Sequence, residues 1–132
     1  MSDGKLGVIG YGQVGHGVVE LALRAGIGFV VYDPPRGIDD KDLLNNECEV
    51  AFICVPTPKM ENGDFLDTRL VWETIKWLAT PLIIVRSTVN VGDIGLWYSK
   101  SGKEICYSPA WGPGSTVAHP FADARYDPFV VI

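Results

Sequence analysis

Short apolar runs recur along the chain, and segments with a helical spacing of apolar residues separate them. The apolar runs predict buried β-strands at 6–9, 29–32, 49–55, 81–86, 104–108 and 127–132. The intervening segments predict four helices. They run from about Gln13 to Arg24, from Asp39 or Asp40 to Asn46, from Asp67 or Thr68 to Leu78, and from a cap within 90–93 through Tyr98. Regular alternation of strand and helix is typical of a parallel sheet with helices packed on it. We therefore predict an α/β protein with a doubly wound, mainly parallel, six-stranded sheet and helices on both faces.

The turn after the first predicted strand carries three glycines in the pattern G-x-G-x-x-G: Gly10, Gly12 and Gly15. In a dinucleotide-binding turn the first glycine permits the tight turn, and the second lets a pyrophosphate approach the backbone. The third lets the helix pack closely on its strand. The N–H groups at the start of the helix then face the phosphates. The pattern predicts a cofactor-binding turn of the Rossmann type, made of Gly10, Tyr11, Gly12, Gln13, Val14 and Gly15.

The second predicted strand ends on an acidic residue, Asp33. A carboxylate at this place binds the ribose hydroxyls of the cofactor, which favours NAD over NADP. Arg36 lies close by in sequence, and an arginine there can accept the 2′-phosphate of NADP. A purely structural reading, in which Asp33 only opens the turn 33–35, stays open. We expect NAD as the cofactor.

Composition narrows the class of partner. The 132 residues carry a formal net charge of −5 and are 47% hydrophobic, which suits one domain with a normal core. A negative charge argues against nucleic acid or an anionic membrane as the main partner. No signal peptide or membrane span is visible in the sequence, and the three cysteines, Cys48, Cys54 and Cys106, lack metal-ligand spacing. We expect reduced thiols in a cytoplasmic protein, with Cys54 and Cys106 packed in the core rather than acting as nucleophiles.

Several segments coincide, in order, with one family. The chain resembles the N-terminal cofactor-binding domain of the UDP-glucose/GDP-mannose 6-dehydrogenases. The resemblance is carried by the stretches 7–15, 54–58 (Cys-Val-Pro-Thr-Pro), 62–64 with Asp67, 87–89 (Ser-Thr-Val) with Gly92, and 107–109. The Val-Pro-Thr-Pro and Ser-Thr-Val segments are more specific than the glycine turn.

The resemblance implies roles for particular residues. Enzymes of this family oxidise the 6-hydroxymethyl group of a nucleotide sugar to a carboxylate in two NAD-dependent steps. By position, the three glycines would line the pyrophosphate and Asp33 would bind the adenosine ribose. The cofactor cleft would be bordered by Val55, Pro56 and Thr57, and Ser87 and Thr88 would lie near the nicotinamide. Thr88 is the candidate catalytic residue, since in the family it helps to hold a catalytic water or substrate oxygen.

The chain also departs from the family. The family's Asn-Pro-Glu-Phe-Leu segment corresponds here to Ser108-Pro109-Ala110-Trp111-Gly112, so its carboxylate is replaced by a methyl group. Ala110 can neither accept a proton nor polarise water. The family's catalytic cysteine and sugar-nucleotide pocket belong to central and C-terminal domains that we expect to be absent. A cysteine in a strand, such as Cys106, lacks the setting that forms a thiolate.

Three functions are compatible with these observations. The first is an NAD-binding domain with little or no oxidation chemistry of its own. The second is an active nucleotide-sugar dehydrogenase whose remaining half is a separate catalytic subunit. The third is an interaction or regulatory protein on a relic fold, with self-association through an exposed apolar patch. Trp97, Trp111 and Phe121 are candidates for such a patch, and burial under a loop is an equal alternative for them.

Overall fold

The computed structural model describes residues 4–61 and 63–110. Five strands alternate with four α-helices. The strands are β1 (Lys5–Ile9), β2 (Phe29–Tyr32), β3 (Cys48–Ile53), β4 (Leu82–Val85) and β5 (Ile105–Tyr107). The helices are α1 (Gln13–Ala25), α2 (Lys41–Glu47), α3 (Arg69–Trp77) and α4 (Asp93–Ser101), and a short 3₁₀ helix covers Pro34–Arg36.

The five strands form one parallel sheet in the order β2-β1-β3-β4-β5. The predicted α/β class with a parallel sheet is therefore confirmed. The sixth strand, predicted over 127–132, lies outside the described residues, so the doubly wound sheet of six strands stays a prediction. No helix in the described part of the chain is long and apolar enough to cross a membrane.

Each face of the sheet has its own apolar cluster because successive side chains of a strand point to opposite faces. On one face Val8 and Phe52 pack with Val18 and Val19 of α1. On the other face the strand residues pack against α2, α3 and α4 through Leu44, Ile75 and Trp97, among others. Central β1 and β3 are therefore covered on both sides.

The structure settles several sequence-based expectations about side-chain burial and helix ends. Hydrophobic spacing predicts Leu70 in the apolar stripe of α3, but Leu70 is 51% exposed, and Thr74 is buried there instead. Trp97, for which exposure in a patch and burial were both open, is 5% exposed and packs in the core, stacked with Trp72. The other two members of that patch lie outside the described residues. The helix predicted through Tyr98 continues to Ser101, where Gly102 ends it with a left-handed φ of 68°.

The segment after β3 leaves the sheet as a short hairpin closed by a bridge between Lys59 and Leu66. The side chain of Asn90 binds both polar groups of Leu66: its Oδ1 accepts from the backbone N–H at 2.9 Å and its Nδ2 donates to the carbonyl at 3.0 Å. Asn62, in the predicted turn, lies outside the described residues. The hairpin is thus tied to the loop between β4 and α4.

Candidate functional site

A cleft of about 640 Å³ lies at the carboxyl ends of the central strands. The chain runs outward from β1 to β2 on one side, whereas β3 lies on the other side of β1. In open α/β sheets ligands bind in the crevice at such a switch in strand order. The cleft is lined by Gly10, Tyr11, Gly12, Gln13, Val14, Asp33, Pro35, Arg36, Cys54, Val55, Pro56, Thr57, Arg86, Ser87, Thr88 and Ala110.

Two of the three glycines are required by the protein's own packing. Gly10 has a φ of +93°, and a Cβ there would lie 2.8 Å from the carbonyl oxygen of Cys54. A Cβ on Gly15 would lie 2.1 Å from the carbonyl oxygen of Gly10. The backbone of the turn therefore packs closely against the residue after β3 and against the first turn of α1. This agrees with the tight turn predicted for the first glycine and the close helix packing predicted for the third.

Gly12 differs from both because, apart from its chain neighbours, no atom in the described part of the chain lies within 4 Å of a Cβ built on it. Its backbone is extended, with φ −91° and ψ −152°, which other residues can adopt. Neither packing nor backbone conformation therefore demands glycine at this position. The space that a side chain would fill belongs to the cleft that Gly12 lines.

Helix α1 begins beside Gly12 without a side-chain cap and with no acidic residue in its first turn. The first N–H groups of a helix have no partner within the helix and carry the positive end of the helix dipole. Gly12, Gln13 and Val14 all line the cleft. The start of α1 therefore suits an anion in the cleft.

Tyr11, Asp33 and Arg36 line one side of the cleft, and His16 packs on Tyr11 outside the lining. Arg36 Nε lies 3.0 Å from Asp33 Oδ2, and the guanidinium lies over the Tyr11 ring at 5.6 Å from its centroid. The His16 ring stacks on Tyr11 with 3.7 Å between centroids, and its Nδ1 is 2.7 Å from the Gly12 carbonyl oxygen. The predicted ribose-binding carboxylate therefore lies in the cleft already bound to a cation.

Hydrogen bonds between loops fix the opposite wall. The hydroxyl of Thr57 donates to the carbonyl oxygen of Thr88 at 2.7 Å. The hydroxyl of Ser87, which is buried, donates to the carbonyl oxygen of Val55 at 2.6 Å. Both hydroxyls hold the β3 and β4 loops together, whereas the Thr88 side chain is exposed at the cleft.

Sequence reasoning gave no role to Arg86, although it lines this cleft. Arg86 is 1% exposed, and its Nη1 donates to the carbonyl oxygen and to Oγ of Ser108 at 2.8 and 3.0 Å. Burial lowers the pKa of this guanidinium. The available signal was its position at the carboxyl end of β4, the edge at which ligands bind.

Two other residues of the cleft bear on its chemistry. Ala110 lines it and contributes a methyl group, which cannot act as an acid or a base. Burial raises the pKa of the Cys54 thiol to about 12, which makes it a poor nucleophile at neutral pH. Within 4–61 and 63–110, no group of three or more His, Cys, Asp or Glu side chains is arranged to hold a metal ion.

The predicted cofactor contacts meet at one place. Every residue predicted from the sequence to contact the cofactor lines this cleft except Gly15. Gly15 instead packs closely against the backbone of Gly10. Cys54 is buried as expected, whereas Cys106 is half-buried in β5. Cys48 is buried as well. Trp111, His119, Phe121 and the rest of the proline-rich stretch after Ala110 lie outside the described residues.

Comparison with known proteins adds support for the fold. No protein-family model matches the chain, and a search of curated proteins gives no match. Among solved structures, a ternary complex of GDP-mannose dehydrogenase from Pseudomonas aeruginosa is similar, with a TM-score of 0.68 and 21% identity over 85% of this chain and 37% of that one. A reductive aminase from Aspergillus terreus in complex with NADPH matches with a TM-score of 0.60 and 11% identity, over 85% of this chain and 42% of that one.

An imine reductase variant from Myxococcus stipitatus in complex with NAD⁺ is also similar, with a TM-score of 0.61 and 12% identity over 85% of this chain and 42% of that one. At these identities the likeness shows a shared fold, and the parallel sheet is consistent with a Rossmann-like domain. The chain spans about two fifths of the length of these solved proteins, at 37% to 42%.

Proposed function

We propose that the chain is an NAD-binding domain of the kind found in the cofactor half of nucleotide-sugar dehydrogenases. The observation that carries this proposal is the open space at Gly12 beside the uncapped start of α1. Protein packing gives no reason for glycine there, whereas a pyrophosphate that approaches the backbone does. A dinucleotide therefore accounts for both features.

Each wall of the cleft has a part in binding. The N–H groups at the start of α1 bind the pyrophosphate, and Asp33 accepts hydrogen bonds from the adenosine ribose. The bonds of Thr57 and Ser87 to the neighbouring loop hold the far wall in place, so that Thr88 faces the nicotinamide end. The bound cofactor supplies a hydride acceptor, and these residues orient it.

The structural neighbours support a cofactor of this class. The aminase is in complex with NADPH and the imine reductase variant with NAD⁺, so similar folds accommodate either dinucleotide. The resemblance of the Val-Pro-Thr-Pro and Ser-Thr-Val segments, together with the likeness to GDP-mannose dehydrogenase, supports the nucleotide-sugar class. Asp33 in the cleft supports NAD.

Calorimetric titration of NAD into the purified chain tests the proposal. We expect saturable binding by the parent and none by Gly12→Val, because the new side chain would fill the space needed by the pyrophosphate. Gly95→Val is the matched control. Outside its own helix turn, no atom among the residues that the structure describes lies within 4 Å of a Cβ built on Gly95, and Gly95 does not line the cleft. The proposal fails if the folded parent does not bind NAD at millimolar concentration.

Oxidation by this chain alone is expected to be negligible. Ala110 places a methyl group where the family has a carboxylate, and the Cys54 thiol is held protonated by burial. We expect no NADH from the chain with UDP-glucose or GDP-mannose. NADH formation by the purified chain would contradict this.

The exposed Thr88 side chain at the cleft favours a second candidate, an active dehydrogenase formed with a separate catalytic subunit. Purification from the native source, followed by the same NADH assay, distinguishes the two functions. A co-purifying partner that restores turnover would establish the second candidate, whereas a lone inactive chain would exclude it.

A further inference from the structure

We propose that Arg36 sets the choice between NAD and NADP by competing for the Asp33 carboxylate. This inference rests on the proposed cofactor function. Arg36 Nε lies 3.0 Å from Asp33 Oδ2, on the carboxylate that a ribose diol would use. The Asp33 side chain is only 15% exposed, whereas that of Arg36 is 55% exposed, so the arginine covers the less accessible partner.

The backbone around this pair is fixed by its own hydrogen bonds. Asp33 and Ile38 form an antiparallel bridge, with N···O distances of 2.6 and 3.3 Å. Inside it, the N–H of Arg36 donates to the Asp33 carbonyl at 2.9 Å, and Pro34 and Pro35 restrict φ. Competition for the carboxylate is therefore decided by the side-chain torsions of Arg36.

The guanidinium has a second contact that keeps it at the cleft. Its central carbon lies 5.6 Å from the centroid of the Tyr11 ring, in the geometry of a cation–π contact. An arginine released from Asp33 thus stays beside the glycine turn. There it can bind a 2′-phosphate through charge-assisted hydrogen bonds.

The two cofactors should respond in opposite directions when Arg36 is changed. With NAD, the ribose displaces Arg36 from Asp33, so Arg36→Gln should tighten binding by up to about fivefold, the range of an exposed ion pair. With NADP, loss of the guanidinium should weaken binding by about tenfold or more. The variant should therefore prefer NAD over NADP more strongly than the parent does.

Asp33→Asn gives the reciprocal test. Removal of the carboxylate takes away the ribose acceptor and releases Arg36 at the same time. We expect weaker binding of NAD and tighter binding of NADP. If both variants instead weakened the binding of both NAD and NADP, the site would be damaged in general, and the inference would be overturned.

Calorimetric titration of NAD and of NADP into the parent, Arg36→Gln and Asp33→Asn measures these changes. Arg69→Gln is the matched control, since Arg69 forms a similar exposed pair with Asp67 at 2.7 Å but does not line the cleft. Opposite shifts for the two cofactors with Arg36→Gln, and none with the control, would support the inference. Unchanged or weaker NAD binding by Arg36→Gln would overturn it alone, whereas failure of the parent to bind either cofactor would overturn the proposed function beneath it.

Discussion

At the scale of single residues, the three glycines of the turn serve different physical purposes. Gly10 is needed for its positive φ and its contact with β3, and Gly15 for the close approach of α1. Gly12 is needed by neither. The sequence motif predicts all three positions but cannot separate a packing requirement from a ligand requirement. The separation comes from the distances around each built Cβ.

Gly15→Ala should destabilise the fold even without any ligand. Its Cβ would lie 2.1 Å from a backbone oxygen, which must move to make room. We expect a loss at the upper end of the ~1–3 kcal/mol typical of overpacked sites. Urea denaturation of this variant and of Gly12→Ala measures the difference. Equal stability of the two variants would contradict the packing described here.

Cys54 should make stability depend on alkaline pH. Its folded pKa is raised to about 12, above that of an exposed thiol, so the unfolded chain loses this proton first as pH rises. The stabilisation is complete below the pKa of the unfolded thiol and is lost as pH rises toward the folded value.

The free energy of unfolding should therefore fall more steeply between pH 9 and 11 in the parent than in Cys54→Ala, by roughly 1–3 kcal/mol. Urea denaturation at the two pH values measures both slopes. Parallel slopes would show that the thiol is not buried in the folded protein.

At the scale of elements, the spacing of apolar residues predicted the positions of strands and helices well, but it predicted less well which side chains are buried. All five described strands and four helices lie where apolar runs and caps predict them, within a few residues at their ends. The prediction of Leu70 in the buried stripe failed because the stripe of α3 is completed by Thr74, whose hydroxyl donates to the Leu70 carbonyl at 2.7 Å. A polar side chain that satisfies itself within its helix is invisible to a hydrophobicity pattern.

The end of α3 depends on a side chain from a distant segment. Lys103 Nζ donates to the carbonyl oxygens of Ile75, Lys76 and Leu78 at 2.7, 3.0 and 2.7 Å. These are the last carbonyls of the helix, which attract a cation. Partial burial lowers the pKa of Lys103. Sequence spacing cannot reveal this cap because the residues are far apart in the chain.

Lys103→Met should therefore lower the free energy of unfolding by about 1–2 kcal/mol, because three carbonyls lose a charged donor. The exposed Lys59, changed to Met, is the control. Chemical denaturation of both variants measures the effect. If the two substitutions cost the same, the contacts of Lys103 contribute no specific stability.

At the scale of the whole molecule, strand order brings together residues that are far apart in sequence. Motifs in the loops after β1, β2, β3 and β4 predicted one site, and the parallel sheet places those loops around one cleft. The sequence could not predict which side chains of the cleft bind to one another. The burial of Arg86 against Ser108 brings together residues 22 positions apart in the chain. The pairing of Arg36 with Asp33 joins near neighbours in sequence but depends on the conformation of the turn between them.

The cleft also reconciles the proposed binding of a dinucleotide with the net charge of −5. Local positive potential comes from the start of α1 and from Arg36 and Arg86 in the lining. Such local fields outweigh the net charge at short range. Screening by salt weakens interactions between exposed charges that are more than about 8 Å apart at physiological ionic strength. The acidic composition is therefore compatible with a dinucleotide and unfavourable for a nucleic-acid backbone.

The most direct test of the central claim is an NMR titration of the ¹⁵N-labelled chain with NAD. Binding in the cleft predicts saturable shifts, with a common dissociation constant, at the amides of Gly10 to Gly15, Asp33, Arg36 and Thr57. The amides of Gly95 and Met60, which do not line the cleft, should stay unchanged. Absence of saturable shifts, or shifts confined to residues away from the cleft, would contradict the account.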